Sequence, residues 1–219
     1  MKLKFNKAIV LGGSKGIGKE ICNSIKFLCK DLVKCSRKEI DTSDLESVDN
    51  FLKIHQTTDI LVLNSGGPPP IHFRNISSED WHKYFNQLFL GYCKILQKIK
   101  ISKGGYIFYI SSSIIKEPSE NLIISSAFRL AFSSVLKSLS LNYSNKQISI
   151  INIAPGPFKT NRVKELIKNI RIFERTLPTK KIGNPKEIGN FVKYIIKNRI
   201  KYISGSTVYF DGNLLKSFI

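Results

Sequence analysis

Lys7-Ala8-Ile9-Val10-Leu11-Gly12-Gly13-Ser14-Lys15-Gly16-Ile17-Gly18 is the stretch whose reading decides the fold. Its first five residues form an apolar, Ile/Val-containing run of strand length. Glycines follow at once, and Lys19–Cys29 continues as an amphipathic stretch. Strand, glycine turn and helix start, in that order, describe a phosphate cradle. Glycine lets the chain turn tightly and lets an anion approach the backbone. The helix start supplies free N–H groups and a partial positive charge. Glycines that serve only a packed βα turn are the alternative, and the context of strand before and helix after favours the cradle.

Five more short apolar runs rich in Ile and Val follow: Leu32–Cys35, Asp59–Asn64, Tyr106–Ser111, Ile148–Ile153 and Thr207–Phe210. Such runs suit parallel strands covered on both faces. Helical stretches lie between them at Gly16–Cys29, Ser43–Ile54, Ser78–Lys98, Asn121–Tyr143, Asn161–Phe173 and Pro185–Lys197. Strand alternating with helix predicts an α/β fold, a doubly wound Rossmann-type parallel sheet of six strands, with its ligand at the strands' carboxyl ends. The expected spatial order is two-one-three-four-five-six. No linker or repeat divides residues 1–219, so a single domain is expected. Only Ser36-Arg37-Lys38-Glu39 separates Cys35 from Ile40. A parallel crossover needs about a dozen residues, so the sheet edge beyond Leu32–Cys35 is expected to be bare or covered by a loop.

The bulk properties exclude more than they identify. Hydrophobic residues make up 42% of the chain and 14 are Phe, which argues against disorder. No apolar run reaches membrane-spanning length, and Met1–Asn6 leads directly into the first strand, so no membrane anchor or targeting segment is expected. Cys22, Cys29, Cys35 and Cys93 form no Cys-x-x-Cys pair and read as packing thiols in a reducing cytoplasm. His55, His72 and His82 lack ligand spacing, so no metal site is expected. Lys and Arg number 35 against 16 Asp and Glu, a net charge of +19, which favours anionic ligands. The cations are scattered and lack aromatic interleaving, so a solvated basic surface is a better reading than a nucleic-acid site.

Several motifs together resemble the short-chain dehydrogenase/reductase family. Gly12, Gly16 and Gly18 give its Gly-x-x-x-Gly-x-Gly spacing. Asn64-Ser65-Gly66 is similar to its Asn-Ala-Gly segment, and Ile110-Ser111-Ser112 to its catalytic-serine strand. Asn152-Ile153-Ala154-Pro155-Gly156 followed by Thr160 is similar to its Pro-Gly segment, and Phe210-Asp211-Gly212 to its C-terminal Asp-Gly. The resemblance runs from about residue 5 to 213, and the chain is shorter than is usual for the family. The family's helix and edge strand after the second strand are lost here, or reduced to a stub at Ile40.

The resemblance implies a nicotinamide dinucleotide. Gly12, Ser14, Lys15, Gly16, Ile17 and Gly18 would hold its pyrophosphate. Asp41 would meet the adenine amino group, Asn64 and Gly66 would line the adenosine side, and Pro155, Gly156 and Thr160 the nicotinamide side. An NAD site usually places an acid after the second strand. This chain has Ser36, Arg37 and Lys38 there, and Lys15 reaches toward the same corner. Cations suit a 2′-phosphate, so NADP(H) is expected over NAD(H).

The family's catalytic Ser, Tyr, Lys and Asn are mostly absent. Counting from Ser112, the Tyr and Lys positions hold Ser125 and Arg129, and the Asn position holds Leu88. No Tyr lies between Tyr109 and Tyr143. A serine hydroxyl is a far weaker acid than a phenol, and an arginine binds anions without relaying protons. Ser112, Ser125 and Arg129 are therefore the catalytic candidates, with Arg129 also a candidate for holding ribose. A packing role for Ser125 stands level with a catalytic one.

Ser78–Lys98 is apolar on more than one face, which suits burial against a second subunit or, alternatively, a thickly covered core helix; the resemblance implies a homodimer or homotetramer through Ser78–Lys98 and Asn121–Tyr143. Gly66-Gly67-Pro68-Pro69-Pro70 predicts a stiff wall beside the site. Two functional readings follow: an NADP(H)-dependent oxidoreductase of small carbonyls or alcohols with a non-standard proton donor, or a weakly active or inactive NADP(H)-binding scaffold. Charge alone supports a third, nucleic-acid association.

Overall fold

Alternate residues of the buried strands face opposite layers, and this alone builds two cores. A computed structural model describes residues 5–217; Met1–Lys4 of the expected lead lie outside the described residues, as do residues 218–219. Ile9, Leu11, Leu61, Leu63, Ile107 and Tyr109 pack into one core cluster. Ala8, Val10, Ile60, Val62, Tyr106 and Phe108 pack into the other. The period of two in side-chain direction makes this division.

The strands are β1 (Phe5–Val10), β2 (Cys29–Lys34), β3 (Thr57–Leu63), β4 (Lys100–Ile110), β5 (Ser149–Pro155) and β6 (Ser206–Phe210). All adjacent pairs are parallel, in the order β2-β1-β3-β4-β5-β6. This is the expected doubly wound six-stranded sheet. Among the described residues no strand lies beyond β2. Lys30, Asp31 and Lys34 are exposed along it, a charged edge of the kind that discourages pairing with another chain. Ile40, after the short turn, is buried in the first core.

The helices are α1 (Gly16–Ile25), α2 (Leu45–Ile54), α3 (Ser78–Phe85), α4 (Gly91–Lys98), α5 (Ile123–Tyr143), α6 (Asn161–Leu166), α7 (Ile170–Thr176) and α8 (Pro185–Lys197). Three expectations need correction. The first helix stops at Ile25 because Leu28 and Cys29 are already needed beside β1, where the Phe5 N–H donates to the Leu28 carbonyl. The stretch Asn161–Phe173 is two helices: Ile167 is extended, and the Asn169 side chain caps a new start by accepting from the Ile172 N–H. A helical run over Glu120–Lys146, which contains α5, is long and apolar enough to cross a membrane by composition, contrary to the sequence reading. In this fold the same helix buries Ser125, Arg129, Phe132 and Leu136 against the sheet.

Ser78–Lys98 is one helical rod broken by a π-helical turn at Asn86–Leu90. Its aromatic surplus is partly used within the chain. Trp81 and Phe85 make edge-on contacts with Phe128 of α5, with ring centroids 5.7 and 5.6 Å apart. Leu130 and Leu141 of α5 remain exposed.

Candidate active site

The order of the sheet reverses beside β1, and ligands of open α/β sheets bind in the crevice that opens there. The glycine turn leaves β1 at that place. Gly12 and Gly16 adopt φ of +59° and +53°, the left-handed region that favours glycine. Gly18 is required for a different reason: a Cβ on it would lie 2.2 Å from the Gly12 carbonyl oxygen. The Asn64 amide braces the turn by donating to the Leu11 and Gly12 carbonyls at 3.3 and 3.2 Å. Helix α1 begins at Gly16 with no side-chain cap, so its first N–H groups face the cleft without an intrahelical partner. Thr160 packs on Gly16 from the other side; a Cβ there would be 3.2 Å from its Cγ2. These residues fit the pyrophosphate of a dinucleotide.

The cleft has a volume of about 790 Å³. Most of the residues expected from sequence line it: Gly12, Ser14, Lys15, Gly16 and Ile17 at one end, Asn64 and Gly66 after β3, Ser112 after β4, Ser125 and Arg129 on α5, and Pro155, Gly156 and Thr160 after β5. Gly156 lies against the Asp211 backbone, and its N–H donates to the Phe210 carbonyl at 2.8 Å, which joins the Pro-Gly and Asp-Gly segments. Gly18 is buried beneath the turn and not part of the lining. Arg37 and Asp41 stand outside the lining, past the end of β2. They pair with each other, Nε to Oδ2 at 3.6 Å, and Asp41 also accepts from the Ser43 N–H and hydroxyl.

Arg129 is 5% exposed and has no carboxylate partner among the described residues. Its guanidinium is held by neutral acceptors. Nε donates to Ser125 Oγ at 3.1 Å; Nη1 donates to the Ile110 and Ser111 carbonyls at 3.0 and 3.4 Å; Nη2 donates to the Ser65 carbonyl at 3.3 Å. One side chain thus ties the ends of β3 and β4 to α5. Because Ser125 Oγ accepts from a cationic donor, its own O–H is polarised toward donation into the cleft. Ser112 caps the short helical turn Ser113–Ile115 and is partly exposed to the cleft.

No Tyr, His, Cys, Asp or Glu is in the lining. The phenols nearest Arg129, Tyr92 and Tyr109, are completely buried in the core. Burial pushes both phenol pKa values up, against the opposing effect of the Arg129 charge. Neither can replace the missing acid.

Sequence reasoning missed residues brought in by the fold. Gln87 sits in the π-turn, is 3% exposed, and donates from Nε2 to the Gly66 carbonyl at 2.7 Å. Its backbone carbonyl accepts from Thr42 Oγ1 at 3.0 Å. The signal was a polar pair, Asn86-Gln87, within an apolar stretch, adjacent to Leu88, which is wholly buried. Arg162, Leu166, Ile167, Phe173 and Leu214 also line the cleft, with no motif to mark them.

A family model described as enoyl-(acyl carrier protein) reductase matches residues 33–213. A 3-oxoacyl-[acyl-carrier-protein] reductase FabG from Buchnera aphidicola subsp. Schizaphis graminum is 26% identical, covering 98% of this chain and 99% of that protein. Glucose 1-dehydrogenase 2 of Bacillus subtilis is also 26% identical, covering 94% of this chain and 93% of its own length. Among solved structures, YwfH, an NADPH-dependent reductase involved in bacilysin biosynthesis, superposes with a TM-score of 0.86 at 21% identity, over 97% of this chain and 99% of that one. L-Sorbose reductase of Gluconobacter frateurii, solved with NADPH and L-sorbose, gives 0.84 at 21% identity over 100% of both chains. The glycine cradle, the sheet order and these matches place the chain in the short-chain dehydrogenase/reductase family.

Proposed function

We propose that this protein is an NADP(H)-dependent oxidoreductase of small carbonyl or alcohol substrates, working without a tyrosine acid. One observation carries the reading: the glycine cradle, Thr160, Ser112 and Ser125 open into the same cleft. The relatives' names, two of them with NADPH, support it. A reduced nicotinamide bound there supplies a hydride. The chain's part is to align the acceptor carbonyl and polarise its oxygen through the Ser112 and Ser125 hydroxyls. The proton for the resulting alkoxide comes from water, at a rate about 10²–10⁴-fold below that of a positioned acid. The test is single-turnover NADPH oxidation with a panel of carbonyl compounds. Wild type is expected to turn over slowly, and Ser112→Ala more slowly at unchanged NADPH affinity.

With no titratable acid in the lining, the rate should be level between about pH 6 and pH 9. A bell-shaped or single-limbed profile would show that a proton donor outside this lining moves in. The same lack of an acid favours the second reading, a binding scaffold. NADPH binding with no oxidation across the panel is its signature.

Arg37 and Lys15 are assigned to the 2′-phosphate, which makes NADPH the preferred cofactor. Arg37→Ala should weaken NADPH alone, by about 1.5–3 kcal/mol for one charge-assisted bond. The side chain is 69% exposed and already shared with Asp41, so the lower end of that range is expected. Equal weakening of NADH would remove the assignment.

Oligomerisation is assigned to the Ser78–Lys98 rod and α5, whose outer face carries the exposed Leu130 and Leu141. Light scattering at micromolar concentration should return a dimer or tetramer; a monomer would refute this. The free thiols fit a reducing, cytoplasmic setting.

A further inference from the structure

Two arginines meet in the cleft beside the loop after β3. Arg162, at the start of α6, reaches across to the loop after β3, where Nη2 donates to the Pro68 carbonyl. Its Nη1 lies 3.5 Å from Glu165 Oε2, a carboxylate that is 65% exposed and outside the lining. Arg129 approaches the same loop from α5 through the Ser65 carbonyl. Gly67 lies between them. A Cβ on Gly67 would stand 3.5 Å from Arg162 Nη2, 3.6 Å from Ser125 Oγ and 3.8 Å from Arg129 Nη2. Two guanidiniums and a hydroxyl therefore surround one bare face of the loop.

This arrangement is electrostatically incomplete. Burial lowers the Arg162 pKa and the Arg129 charge lowers it further, while Glu165 only partly opposes them. No carboxylate lines the cleft to neutralise the pair. Cations held together partly out of water are unfavourable unless an anion joins them. A guanidinium fork matches a carboxylate in shape as well as charge. Leu166, Ile167, Phe173 and Leu214 supply an apolar wall in the same cleft.

We propose that the substrate is an oxo acid with an apolar body. Its carboxylate is taken by Arg162, with Arg129 beside it, its carbonyl lies against Ser125 and Ser112, and its hydrocarbon part packs on Leu166, Ile167 and Phe173. This rests on the oxidoreductase reading and adds the class of substrate to it. Arg162 then gives up its hold on Pro68 and Glu165 when the acid enters, which couples substrate binding to the loop after β3.

The test uses α-ketoisocaproate and its neutral methyl ester, with wild type, Arg162→Met, Arg162→Lys and Gly67→Ala. NADPH oxidation and calorimetric binding to the NADP⁺-loaded protein are both read. Wild type is expected to favour the acid over the ester about tenfold or more in kcat/KM. Arg162→Met should remove about 10–100-fold for the acid, the range of one charge-assisted bond, and cost the ester and NADPH affinity much less than it costs the acid. Arg162→Lys should restore part of the loss. Gly67→Ala, whose Cβ meets only ordinary contact distances, should fold and still weaken the acid by filling the space between the arginines. Equal handling of acid and ester by wild type overturns the proposal. So does a loss of NADPH affinity in Arg162→Met as large as the loss of the acid, since Arg162 would then be serving the cofactor. If NADPH binds but no carbonyl oxidises it, the oxidoreductase reading fails separately. Calorimetry then decides the anion site: Arg162-dependent binding of α-ketoisocaproate upholds it, and no binding overturns it.

Discussion

Gly18→Ala is expected to abolish measurable NADPH binding and to lower stability by about 1–3 kcal/mol, the usual penalty for overpacking. The added methyl would lie 2.2 Å from the Gly12 carbonyl oxygen and 2.8 Å from Asn64 Nδ2. Neither neighbour is a flexible chain end. Gly12 is fixed by its positive φ and by the Asn64 amide, and Asn64 is itself fixed by the two carbonyls it serves. Relief must come from α1 moving away from the turn. That motion carries the N–H groups of Gly16 and Ile17 off the phosphate position, so affinity falls even where the fold survives. Gly66→Ala is the stability control, because a Cβ there meets nothing within 4 Å. Thermal unfolding of both variants and fluorescence titration of Gly18→Ala with NADPH give the answer. Binding by Gly18→Ala within about threefold of wild type would mean the turn is not the cradle.

The second large effect is at Arg129. Arg129→Met should destabilise the protein by about 2–5 kcal/mol, since the carbonyls of Ile110 and Ser111 lose a donor in a buried place and that of Ser65 loses one in a part-buried place. Water entering from the cleft sets the lower end of the range. The substitution also removes the donor to Ser125 Oγ, so catalysis should fall beyond what instability explains. Arg129→Lys should recover only part of the stability: an ammonium is a compact point charge and cannot span four acceptors as a planar fork does. Denaturant unfolding and single-turnover NADPH oxidation separate the two effects. A loss below about 0.5 kcal/mol, the range of an ordinary surface substitution, would show that the guanidinium does not clamp the strand ends.

The π-turn deserves a place beside these two sites in any mutational series, for it delivers Gln87 to the Gly66 carbonyl and so positions the loop that bears Gly67. Its position was hidden because helical periodicity assigns Gln87 and Leu88 to their faces only for a regular helix. One inserted residue per turn rotates every following side chain.

What the sequence determined by itself was whatever depends on neighbours along the chain. The run Lys7–Leu11, the glycine spacing of Gly12, Gly16 and Gly18, and the alternation of strand with helix were enough for the strands, the helices between them and the cradle. Local sterics and a period of two or 3.6 decide those features. The shortage of residues between Cys35 and Ile40 was likewise a matter of counting, and it left β2 at the edge. The tertiary structure decided the rest. Arg162 and Pro68 are 94 residues apart, Arg129 and Ser65 are 64 apart, and Gln87 and Gly66 are 21 apart. Which donor meets which carbonyl at those separations depends on how α5, α6 and the loop after β3 pack on the sheet, and no local pattern records it. Ser125 and Arg129 were legible as replacements for the family's tyrosine and lysine. That Arg129 would be committed to backbone carbonyls, and that a second arginine would face it across Gly67, followed only from the buried polar groups finding their partners in three dimensions.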